Sequence, residues 1–146
     1  MCRRRRSATR TWERSRLEPV THTEINRKLC GEPQELREGY ARVKLRVSRK
    51  MSADDRGLAH GGFVFSLADY AAMLAVNHPN VVLGNAQMRF LRPTLVGDIL
   101  TAEAVVHDQE GKKKIVTVDV LRAHQVIARG EFICFTPDEH VLGEPQ

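Results

Sequence analysis

Hydrophobic side chains are concentrated in one stretch of this chain. Residues 60–77, HGGFVFSLADYAAMLAVN, open with a His-Gly-Gly turn and continue with side chains that are almost all apolar or small. Beyond Gly62 the run has no Gly or Pro, and Asp69 is its only formal charge. A helix apolar on nearly all faces has to be buried, because no polar face is left for water. The spacing predicts such a helix from Gly62 to Asn77, a rod of roughly 24 Å. It is too short and too charged for a membrane span. An isolated ionised carboxylate in an apolar medium is costly. Asp69 therefore needs a buried partner or a cleft in which it does chemistry.

The flanking segments alternate with a period of two. Residues 36–49 place Tyr40, Val43, Leu45 and Val47 against Arg42, Lys44 and Arg46, the pattern of a half-exposed strand. Four more strands are predicted at 81–91, 98–107, 113–122 and 125–135, joined by short turns that imply antiparallel neighbours. A short helix is predicted over Thr21 to Leu29, capped by Thr21 or Thr23. One buried helix and about five strands make an α+β domain, an antiparallel sheet wrapped on one helix. Its expected limits are residues 21–136, between a disordered basic leader (1–20) and a C-terminal tail (137–146).

Composition adds little to this and removes one class of partner. The 146 residues suit a single domain with a real core. The net charge of +5 comes from residues 1–20, which hold seven arginines and two glutamates. The other 126 residues balance 16 basic against 16 acidic side chains, so the folded part offers no net-charge argument for nucleic acid. Cys2, Cys30 and Cys134 form no CxxC pair and no disulfide framework, which points to a reducing cytoplasm. His22, His78, His107, His124 and His140 lack metal-ligand spacing, so no metal is expected. No apolar segment follows the arginines to complete a secretion signal.

Four motifs in this order resemble the hotdog-fold acyl-CoA thioesterase superfamily, and within it the phenylacetic-acid-degradation type. They are HGG at 60–62, FSLAD at 65–69 with Asn77 following, FLRP at 90–93, and Gly97-Asp98. The resemblance covers roughly residues 22–136. It implies a sheet curled around one helix, a working homodimer that can pair again into a tetramer, acyl-CoA as substrate and no cofactor beyond water. It also implies a catalytic role for Asp69, as general base on water or as nucleophile, and a thioester-positioning role for His60.

Elementary chemistry points the same way. Thioester hydrolysis needs donors for a developing oxyanion and a base or nucleophile nearby. The free N–H groups at a helix N-terminus are such donors, here those of Gly61 or Gly62. Asp69 lies seven residues beyond Gly62, about two turns and roughly 10 Å further along the same rod. One carbonyl cannot sit about 3 Å from both. If the two act together, they come from different subunits of a two-fold dimer.

Five further residues are candidates for substrate contact. Asp54 lies six residues before His60, where the resembling thioesterases often carry an amide; an ionised carboxylate cannot donate as an amide does. Asn77 reads as a helix C-terminal cap or a contact, and Asn85 as a strand hydrogen bond or a water-orienting group. Arg89 and Arg92 flank Phe90-Leu91 and suit the phosphates of CoA, or an exposed strand face. Lys112, Lys113 and Lys114 read as a solvated turn or a second phosphate contact. The expected function is hydrolysis of an acyl- or aryl-CoA thioester to free acid and CoA. The alternative is a non-enzymatic hotdog module that binds acyl-CoA. A dehydratase fits poorly, because the turn is His-Gly-Gly-Phe rather than the His-Phe-Pro-Gly type.

Overall fold

A computed structural model describes residues 17–145. The elements in chain order are α1 (Arg27–Cys30), β1 (Glu32–Arg37), β2 (Tyr40–Arg46), a 3-10 turn (Arg49–Met51), α2 (Gly61–Val76), β3 (Val82–Phe90), β4 (Ile99–Glu110), β5 (Lys113–Arg122) and β6 (Gln125–Phe135). Residues 1–16 of the expected leader, with its seven arginines, and Gln146 of the expected tail lie outside the described residues.

The six strands form one antiparallel sheet in the order β1-β2-β4-β5-β6-β3. Helix α2 leaves β2, crosses the concave side of the sheet and delivers the chain to the far edge, where β3 pairs with β6. Each strand turns one row of side chains toward α2: Ala41, Val43 and Leu45 from β2, Leu100, Ala102 and Ala104 from β4, Val116, Val118 and Val120 from β5, Ala128, Phe132 and Cys134 from β6. The helix answers with Val64, Leu67, Ala68, Ala71, Ala72, Leu74 and Ala75, all buried. Alanines on both surfaces shorten the approach, so the sheet curls closely around the rod. This is the hotdog arrangement.

The strand count departs from the expected five because residues 36–49 are not one strand. Glu38-Gly39, with Gly39 at φ +73°, turns the chain back so that β1 pairs with β2. A Glu-Gly dipeptide between alternating runs is a hairpin signal of modest strength. The helix expected over Thr21 to Leu29 contracts to the single turn of α1. Its cap is Asn26, whose side-chain oxygen accepts from the Lys28 and Leu29 amides. Thr21 is instead buried with its hydroxyl 2.8 Å from the His22 ring. The central helix begins at Gly61, one residue before expectation, and ends on Asn77 in the left-handed conformation.

Gly31 shows how tightly the first turn is joined to the helix. It sits at φ +113°, and a Cβ there would come within 2.7 Å of Val43 Cγ1 and 2.9 Å of Leu67 Cδ1. Both the backbone conformation and the packing exclude a side chain. Gly31→Ala is expected to cost at least ~2 kcal/mol of stability, read as a lowered urea midpoint with an unchanged slope.

Candidate active site

The N-terminus of α2 is held from two sides. The His60 amide donates to the Met51 carbonyl at 2.8 Å, and the His60 carbonyl accepts from Phe63 at 3.2 Å. His60 is extended, at φ −69° and ψ 130°, and its side chain makes no capping bond. Its imidazole is exposed and leans back over the first turn: a Cβ on Gly62 would lie 2.9 Å from ring atoms Cδ2 and Nε2. On the other flank the Phe90 ring stands over Gly61, 3.6 Å from where a Cβ would be. Among the described residues none accepts a hydrogen bond from the Gly61 or Gly62 amide. Two donors at the positive end of a helix dipole therefore face outward, between an imidazole and an aromatic ring.

The surface around these donors is apolar. Phe90 and Leu91 are each 54% exposed, and Leu58 and Leu95, joined by a backbone bridge, are exposed beside the same chain segments. Such a cluster marks an interaction or ligand surface.

Asp69 lies on the same side of α2 as Gly62, because seven residues at 100° each return almost to the starting direction. Gly62, Phe65, Ser66 and Asp69 form a strip along the helix that the sheet of the same chain leaves partly open. The Asp69 side chain is only half-open: its Oδ1 is buried and has no hydrogen-bond partner. Burial pushes its carboxyl up to about 6. Among the described residues no cation forms an ion pair with it. Its negative charge is felt by two thiols. Burial first, and Asp69 second, raises both Cys30 and Cys134, the latter to about 12. These thiols stay protonated and are not nucleophiles at neutral pH.

The other candidates are dispersed. Asp54 is exposed, and its Oδ1 accepts from the Arg56 amide at 2.9 Å and the Leu58 amide at 3.1 Å. It shapes the loop before His60, and a carboxylate does that as well as an amide would. Asn77 is at the opposite end of α2 from the glycines, about 22 Å away. Its side chain accepts from Val20 and donates to the Glu18 carbonyl, tying residues 18–20 to the helix end. Asn85 and Arg89 oppose Ile133 and Arg129 in the β3–β6 register, on the face of the sheet turned away from α2. Neither is brought to Asp69. Arg92 is exposed and follows directly on the Phe90-Leu91 segment that flanks Gly61. Asp98 of the Gly-Asp motif pairs with Arg122 at 2.8 Å and accepts from Leu95, so that motif builds a turn. The site residues missed from sequence were Phe90 and the Phe65–Ser66 part of the open strip. The signal for Phe65 and Ser66 was the i, i+3, i+4, i+7 spacing that links Gly62 to Asp69, and Phe90 on β3 had no such signal. Among the described residues no group of three or more His, Cys, Asp or Glu side chains converges as metal ligands, and no helix is long and apolar enough to cross a membrane.

The family model described as Thioesterase superfamily matches residues 56–128, the segment that carries the glycine turn, α2 and Asp69. The chain belongs to that superfamily. Its likeness to acyl-coenzyme A thioesterase PaaI of Escherichia coli bears out the phenylacetic-acid-degradation branch: 34% identity over 90 residues, 60% of this chain and 64% of PaaI. A crystal structure of an uncharacterized protein, PH1136 from Pyrococcus horikoshii, superposes with a TM-score of 0.86 at 50% identity, covering 87% of this chain and 98% of that one. A methylthioribose-1-phosphate isomerase of Aquifex aeolicus is 52% identical over 112 residues, 77% of this chain. The chain spans a quarter of that isomerase and just under two-thirds of PaaI.

The unpaired carboxylate has a consequence for stability whose sign is definite. Raised above its ordinary value in the folded state, Asp69 favours folding when protonated and opposes it when ionised. The penalty is absent at acid pH, grows as pH rises through about 6, and reaches on the order of 2–3 kcal/mol. Asp69→Asn is expected to raise stability by about 2 kcal/mol near pH 7.5 and by almost nothing near pH 4, measured by urea titration at both pH values.

Proposed function

We propose that the protein hydrolyses an acyl- or aryl-CoA thioester to free acid and CoA, at a site completed by a second copy of the chain. The observation that carries this reading is the Asp69 carboxylate. Its Oδ1 is buried and unpartnered and its carboxyl is raised to about 6, on the same helical strip as two free amides but about 10 Å from them. A homodimer with a two-fold axis would set the amides of one protomer against Asp69 of its partner, twice over. A tetramer would be two such pairs. Superfamily membership and the name of PaaI support thioesters of CoA as the substrate class.

In the proposed reaction the ionised Asp69 takes a proton from water as the water oxygen adds to the thioester carbonyl carbon. The carbonyl π electrons move to its oxygen, which the Gly61 and Gly62 amides stabilise as it becomes negative. On collapse the C–S bond breaks, and the CoA sulfur leaves with its electron pair and takes the proton held by Asp69, which returns to its ionised form. No cofactor takes part. His60, exposed at the edge of the first turn, orients the thioester. The apolar cluster of Phe90, Leu91, Leu58 and Leu95 supplies part of the acyl environment or of the partner's contact. The proposed compartment is the cytoplasm, where acyl-CoA is made and used.

A pH profile and a pair of substitutions test this. The rate constant kcat/KM should fall as pH drops below about 6, because protonated Asp69 cannot accept the water proton. Asp69→Asn should lower thiol release at least ~100-fold. Gly61→Pro removes one amide donor while suiting the first helical position and the extended His60 before it, and should lose a similar ~100-fold. Mixed dimers of the two inactive variants should recover activity, since one of their two sites has both parts intact. Full activity of Asp69→Asn, or mixed dimers as inactive as their parents, would sink the shared site. Saturable acyl-CoA binding with no thiol release over aryl-, short- and long-chain substrates would mark a binding module instead.

A further inference from the structure

Cations that could hold the phosphates of CoA are not where the turn at 112–114 suggested. Lys112 pairs with Asp138 at 2.8 Å, and Lys114 donates to the Gly111 carbonyl at 2.8 Å. A different set of cations gathers on the other side of the molecule. A groove of about 900 Å³ is lined by α1, β1, β2 and the 3-10 turn, and six basic residues face it: Arg27, Lys28, Lys44, Arg46, Arg49 and Lys50. Glu32 is the only acidic residue of its lining. Burial raises the Tyr70 hydroxyl, and the Arg27 charge partly offsets that rise. The other five form no ion pair among the described residues. Yet beyond residue 20 the chain as a whole balances its charges, so this accumulation is local.

Five unpaired cations around one concavity repel each other, and an anion with several charges relieves that repulsion. The groove is also connected to the catalytic end of the helix. Arg49 and Lys50 belong to the turn that ends in Met51, whose carbonyl holds the His60 amide. Lys44 and Arg46 come from β2, whose inward residues pack under α2, and the groove's apolar floor is Leu29 and Leu45. A substrate with its thioester at the Gly61–Gly62 turn and a long flexible arm would have such a basic groove within the same region of surface.

We propose that this groove holds the phosphate-bearing nucleotide end of the substrate. This rests on the acyl-CoA reading above and deepens it. The recognised chemistry is a nucleotide with several phosphate groups, held chiefly by Arg46, Arg49 and Lys50. The arginines bind phosphate oxygens through paired N–H donors, and the lysine adds a point charge.

The test compares an acyl-CoA with the same acyl group on pantetheine, which keeps the arm and thioester and lacks the phosphates. The full-length protein should prefer acyl-CoA in kcat/KM by about tenfold or more, the scale of a charge-assisted contact. Arg46→Glu with Arg49→Glu should abolish that preference, and rising salt should shrink it in the parent protein. Lys112→Glu with Lys114→Glu, of equal charge change, should leave the preference intact. Loss of activity on both substrates in proportion would keep the ratio and would overturn the proposal. Binding of CoA and of pantetheine, measured by calorimetry, gives a readout independent of turnover. A chain that hydrolysed nothing but bound CoA at least tenfold tighter than the double variant would lose the thioesterase reading and keep the groove. Adenosine 3′,5′-bisphosphate should compete with acyl-CoA and leave acyl-pantetheine hydrolysis unchanged. A change in the latter would assign the groove to a free nucleotide effector and overturn the substrate assignment.

Discussion

The close approach of α2 to the sheet governs everything else in this molecule. Ala68, Ala71, Ala72 and Ala75 give the helix a low surface, and Ala41, Ala102, Ala104 and Ala128 lower the sheet beneath it. Larger side chains at these positions would hold the layers apart. Larger buried residues such as Leu45, Leu67, Phe132 and Tyr70 fill the remaining space. Because the sheet wraps one side of the rod so fully, a single strip, from Gly62 through Phe65 and Ser66 to Asp69, is left for anything outside the chain. Packing would confine the proposed chemistry to that strip.

In the proposed reading, Asp69 is the point at which stability yields to function. A helix facing an apolar interior would be more stable with Asn or Ala there, since the Asp69 Oδ1 is buried without a partner. A carboxylate placed where its charge destabilises the fold is the pattern expected of the chemical role proposed for it. Asp98 makes the contrast. It too is a carboxylate in a conspicuous motif, but Arg122 and the Leu95 amide satisfy it, and it stabilises a turn.

Much of the fold could be read from the sequence because its signals are strong and local. The apolar run after Gly62 and the strands at 113–122 and 125–135 have clear periods, and the structure reproduces those two strands residue for residue. The first hairpin was lost because Glu38-Gly39 interrupts the alternation for only two residues. The placement of Asn85 and Arg89 is legible in the same kind of alternation. Ala86, Met88 and Phe90 alternate with Asn85, Gln87 and Arg89, and the apolar row must face the helix. The roles of Asp54 and Asn77 were harder, because each depends on backbone amides and carbonyls that the fold alone brings within reach. The basic groove is spread over residues 27–50 and has no linear motif at all.

The two ends of α2 are secured by different means. At its C-terminal end Asn77 adopts the left-handed conformation, closes the last turn through its amide to Met73, and binds residues 18 and 20 with its side chain. At its N-terminal end the ties are made by backbone: His60 donates to Met51, Ala59 to Thr94 and Val96 to Gly57, and the loop between is shaped by the exposed Asp54. The helix is thus a beam pinned at both ends, so the spacing between the glycine turn and Asp69 is set by the fold and whatever binds along the strip must fit a fixed ruler.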